Sequence, residues 1–175
     1  MRYFVSGEQQ RKLLLNALVL MFLAYIFLLW ISNGMMYFHR MDLTVQSVIT
    51  YYCGNEEQFI PAKSYEGMLE TLHFHLFSMG MLAVTLTHLM LMTEFSVRLK
   101  IWLSGCVYFS AIAEILAGWL VRFVHPQFAY FKIGSFLLLE FSIFALLLTV
   151  SMSLIKARKN MNKMALQKNV SPSSE

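Results

Sequence analysis

Five histidines and a handful of carboxylates, set among long apolar stretches, are the residues of this chain that could do chemistry. Glu70 and His73 stand three positions apart, with His75 and His88 following on the same apolar block. Glu114 and Glu140 are each the single acid of a later block. At roughly 100° per residue, Glu66, Glu70, His73, Phe77, Val84 and His88 fall within a sector of about 60°, and His75 points almost oppositely. A charge at the centre of a bilayer costs roughly 2.5–3.5 kcal/mol on insertion scales, so this stripe is expected to face neighbouring helices or a polar cavity. Counted from the ends of their blocks, Glu114 and Glu140 reach a depth close to that of His73. Glu70, His73, Glu114 and Glu140 are therefore the candidate acid–base group, suited to proton exchange or to holding a metal.

The histidines also suit an iron porphyrin, which takes imidazole ligands normal to its plane. His73 and His88 are separated by about 22 Å along a helix, too far to serve two faces of one haem, so each would anchor its own. That separation resembles the spacing of haem-ligating histidines on one helix of the membrane cytochromes b, a resemblance confined to this block. It implies haem b, with His73 and His88 as metal ligands. His39 or His125 would be the opposite ligand of an outer haem, and Arg122 lies at the right margin for an anionic group. Such cytochromes carry matching histidines on a second helix, and the other apolar blocks here have none internally. Glu70-x-x-His73 is also the Glu/His spacing of four-helix di-iron proteins, which normally carry two such elements; only one is present. A quinone asks for less: donors for its carbonyl oxygens and nearby groups that exchange protons. His73 with Glu70 supplies both, Glu114 and Glu140 extend the route, and for Arg122 and Lys132 snorkelling to the interface is the competing reading.

The elements that position these residues are legible from composition. Hydrophobic residues make up 58% of the 175 positions, gathered into blocks of the length that crosses about 30 Å of hydrocarbon. Spans are expected over residues 13–33, 68–92, 101–124 and 131–155. The first has basic residues before it but no small-residue cleavage site, so it reads as a span rather than a secretion signal. Short links at 93–100 and 125–130 make successive helices antiparallel neighbours, and Pro126 marks the second as a stop. Residues 34–67 form the one long connection, an extracytoplasmic loop or cap in which 45–52 reads equally as helix or strand. Ten of the 14 Lys and Arg residues fall in segments 1–12, 93–100 and 156–175, so the positive-inside rule puts both termini in the cytoplasm. The tail beyond Arg158 reads as polar and frayed. Cys53 and Cys106 are expected to be separated by much of a bilayer, and no Cys-x-x-Cys-His motif attaches a haem covalently.

The sequence therefore describes an all-α integral membrane protein, an antiparallel four-helix transmembrane bundle with cytoplasmic termini, of the kind found in a bacterial inner membrane. No domain gathers basic residues on one face, which excludes nucleic acid as a partner. The loops leave little room for a catalytic domain. The expected role is a small membrane subunit of an electron-transfer complex, binding haem b, quinone or both near the outer face. It would contact lipid and other membrane or extracytoplasmic subunits. Two alternatives remain: a non-catalytic structural or assembly subunit, and a proton-translocating or transport component.

Overall fold

In the computed structural model, which describes residues 2–170 and the side-chain surroundings of 11 and 14–159, the elements are α1 (Arg2–Arg40), α2 (Val45–Cys53), α3 (Tyr65–Leu91), α4 (Val97–Phe123) and α5 (Ala129–Val170). The described residues contain no strand, only one antiparallel bridge between Asn55 and Ile60. α1, α3, α4 and α5 are long and apolar enough to cross a membrane. Their outer surfaces expose large side chains such as Leu28, Phe74, Trp102 and Phe141, which meet lipid.

Two helices run further than their apolar blocks. α1 passes through Gly34 and ends only at Arg40, because residues 34–40 hold no proline and the hydrogen-bond ladder meets no obstacle. Tyr37, His39 and Arg40 therefore sit on the helix rather than in a loop. α5 continues through the basic segment to Val170, where a frayed tail was expected; residues 171–175 lie outside the described region.

The cap is built from local signals. Thr44 accepts a hydrogen bond from the Ser47 amide and starts α2, so the ambiguous segment is helical. Gly54 ends it with φ +83, a conformation that disfavours side chains, and a Cβ there would stand 2.6 Å from the Ile60 carbonyl oxygen. Asn55 and Ile60 then exchange two backbone hydrogen bonds of 2.9 Å, folding the loop back. Lys63 N–H donates to the Tyr52 carbonyl at 3.0 Å, and Ser64 caps α3 by accepting from Gly67 N–H. Ser96 caps α4 in the same way, and His125 and Pro126 turn the chain through one 3-10 turn into α5.

Packing divides into two clusters. Away from α2, Leu23, Ile26, Leu86, Met90, Val107 and Leu146 form a close apolar core. At the α2 end, Tyr37, Val48, Tyr52, Met68, Val121 and Phe136 pack beneath the cap. α1 leans on α5, held by Trp30 Nε1–H to the Glu140 carbonyl at 3.0 Å and Asn33 Nδ2–H to Glu140 Oε1 at 2.5 Å, while α3 leans on α4. A gap remains between α1 and α3.

Candidate functional site: a cleft beneath the α2 cap

That gap is a cavity of about 740 Å³. α1 lines it with Asn33, Met36, Tyr37, His39 and Arg40; α3 with Met68, Thr71, Leu72 and His75. α4 and α5 close it with Glu114, Gly118, Trp119, Lys132 and Phe136, and Tyr51 and Tyr52 of α2 lie over it.

Its floor is an ion pair. Lys132 Nζ donates to the Glu114 carboxylate and, at 2.9 Å, to the Glu114 backbone carbonyl. Lys132 lies three residues into α5, whereas Glu114 lies nine residues before the end of α4, so the lysine reaches inward by about 9 Å of helix rise. It is 3% exposed. Two of its three N–H donors go to Glu114, and the Tyr52 hydroxyl is within reach of the third.

Two tyrosines stand beside the pair. Tyr52 projects from α2 onto Gly118, where an added Cβ would lie 2.8 Å from the Tyr52 hydroxyl, and its ring centre is 5.7 Å from Lys132 Nζ. Burial pushes the Tyr52 phenol above its ordinary value, with the lysine charge opposing, so the hydroxyl stays protonated and able to donate. Tyr37 stacks on Phe136 with ring centres 3.6 Å apart and is 5% exposed. Its hydroxyl is buried with no hydrogen-bond partner among the described residues, a situation that ordinarily costs about 1–3 kcal/mol. On the α3 side, His75 Nδ1 lies 3.1 Å from the Thr71 carbonyl, so with that proton donated Nε2 is left as an acceptor.

Only part of the sequence-derived site is assembled here. Glu114 is on the floor and His39 at the rim, as lining residues. Glu140 does not line the cleft; it ties α1 to α5 through Asn33. The α3 stripe points the other way from the expected inward orientation. Glu66, Glu70, His73 and His88 are exposed on the outer face of the bundle, and the buried face of α3 carries Met68, Leu82, Leu86 and Met90, with His75 at its cleft end. Glu66 and Glu70 lie in the first two turns, near enough to the helix end for their carboxylates to reach water, and His88 is as close to the other end. His73 is therefore not brought together with Glu114 and Glu140. His125 is exposed and accepts from the Gln127 amide at 3.2 Å, and Arg122 Nε–H donates to the Lys63 carbonyl at 2.9 Å, so both hold turns. Among the described residues no three His, Cys, Asp or Glu side chains gather as a metal site. Lys132, Tyr37, Tyr52 and His75 carry little signal in the amino-acid sequence beyond His75's opposition to the stripe and the small Gly118 on the Glu114 face.

A family model described as a transmembrane helical domain matches residues 42–161, more than two thirds of the chain and all of α2, α3 and α4. No curated protein and no solved structure matches it.

The Tyr52–Gly118 contact makes a direct prediction. Gly118→Ala lowers stability in detergent by about 1–3 kcal/mol, because Tyr52 must leave the floor. Gly80→Ala, where an added Cβ meets nothing within 4 Å, causes no loss. Thermal unfolding of the two variants side by side checks this, and equal behaviour contradicts the packing.

Proposed function

The chain belongs to the Aq_1264_TM family of transmembrane helical domains, and from that premise we propose that it is a small membrane subunit of an electron-transfer complex that binds a quinone beneath the α2 cap. The observation that carries this reading is an inward-turned Lys132–Glu114 pair flooring a cleft whose wall holds the unpartnered Tyr37 hydroxyl. A quinone carries two carbonyl oxygens on a flat ring, and supplies two-electron chemistry coupled to protons. The Tyr37 and Tyr52 hydroxyls are donors of the right kind. Trp119, Phe136 and Met68 are apolar surfaces for a ring. Glu114 and His75 are groups that hold or pass a proton between floor and rim, with His39 at the rim.

A haem b reading rests on a different pair from the one favoured by sequence spacing: His39 of α1 and His75 of α3 border this same cleft. Partner subunits are supported by the short connections, and by the outward Glu70, His73 and His88 of α3, which an adjoining helix would cover. The distribution of basic residues supports placing the α2 end on the extracytoplasmic side of a bacterial inner membrane, with both termini inside. A reporter active only in the cytoplasm is expected to work when fused after Glu175 and to fail when inserted at Glu57; the reverse pattern inverts the site.

Trp119 lines the cleft, which makes quinone binding directly readable. Titrating purified protein with a short-tailed naphthoquinone is expected to quench fluorescence saturably. That component disappears in Trp119→Phe, and Tyr37→Phe weakens affinity about tenfold, the worth of one buried hydrogen bond. Linear quenching that Trp119→Phe leaves unchanged contradicts the proposal. Redox-sensitive Soret and alpha bands in the purified protein move the reading to haem, and absence of both ligands beside a stable co-purifying protein moves it to a structural subunit.

A further inference from the structure

At the mouth of the cleft two cations converge on one neutral side chain. Arg40 Nη1–H donates to the Tyr51 hydroxyl at 3.4 Å, and Lys63 Nζ stands 4.4 Å from the centre of the same ring. Among the described residues neither reaches a carboxylate; the ion pairs there are Lys132–Glu114 and Lys156–Glu94. Neither cation is placed by chance of a long loop. Arg40 closes the last turn of α1, and Lys63 is fixed on both sides of its backbone, by the Tyr52 carbonyl at 3.0 Å and by Arg122 Nε–H at 2.9 Å. Holding like charges together without a counter-charge is unfavourable, and an anion between them reverses the sign.

The geometry points to a site for the headgroup phosphate of an anionic membrane phospholipid, one with no cation of its own, gripped by Arg40 and Lys63 with its acyl chain entering the gap between α1 and α3. The level is right, because both residues lie where the spans leave the hydrocarbon. Met36 and Met41, which flank Arg40 along the chain, line the same cavity with flexible apolar side chains that adapt to an alkyl chain. A free phosphate satisfies the cations but gains nothing from those methionines. This site does not rest on the quinone reading: its cations stand at the mouth, although its acyl chain enters the same cavity.

The test uses the full chain, delipidated in a mild detergent and followed by thermal unfolding. Short-chain phosphatidylglycerol is expected to stabilise it saturably, at least tenfold more tightly than phosphatidylcholine of equal chain length. Arg40→Gln and Lys63→Gln each weaken that binding fivefold or more, whereas Arg98→Gln at the opposite end of the bundle leaves it unchanged. Equal losses in all three variants reduce the effect to diffuse surface charge and overturn the site. Inorganic phosphate alone, giving the same shift at the same concentration, overturns the lipid assignment. If a glutamine variant unfolds, the comparison of lipids on the unaltered chain still decides: equal binding of the two lipids refutes the proposal.

Discussion

A lysine near a membrane surface ordinarily bends its chain toward water. Lys132 bends the other way, to Glu114 on the neighbouring helix, and the cleft is arranged around that choice. Withdrawing two charges from water costs several kcal/mol per ion, which mutual attraction offsets only with good geometry and additional hydrogen bonds. The second bond to the Glu114 carbonyl supplies one of these, and Tyr52 with its buried phenol shields the pair from above. The ion pair also fixes α5 against α4, so the floor and the helix packing are one structure.

The other walls follow from how α1 and α2 are held. α1 touches the bundle along one edge, where Trp30 and Asn33 bond Glu140 and Tyr37 stacks on Phe136. Among the described residues nothing comparable draws it to α3, so the space between them stays open. α2 closes the end of that space because Gly54 and the Asn55–Ile60 turn return the chain over it, and because Gly118 leaves room for Tyr52. The proposed function would use this gap for a redox ligand at the floor, and the proposed lipid site would use its mouth for a headgroup.

The four spans were legible because length and apolarity alone identify them. The cap helix was half legible: Thr44 is a good cap, but the segment is short enough for periodicity to fit a strand as well. The direction of the α3 stripe was misread for a physical reason. Periodicity shows that Glu70, His73 and His88 share a face, and it does not show which way the face looks. In a bilayer the helix interior and the lipid are equally apolar, so only polarity marks the inside. That mark fails near the ends of a span, where side chains reach water. Glu114 is legible as the lone acid deep in α4; Lys132 is not, because a cation that close to the surface usually turns outward. Tyr37 and Tyr52 had no sequence signal beyond being aromatic, since their role depends on α1 continuing past Gly34 and on α2 folding back.

The most direct measurement is a double-mutant cycle on the floor: Lys132→Met, Glu114→Gln and both together, each followed by reversible unfolding in detergent. A paired, inward lysine predicts a loss of about 3–5 kcal/mol for either single change, because each strands a buried polar partner, and recovery of most of it in the double variant. Losses that add to within about 0.5 kcal/mol contradict the pair, and with it the floor on which the cleft is built.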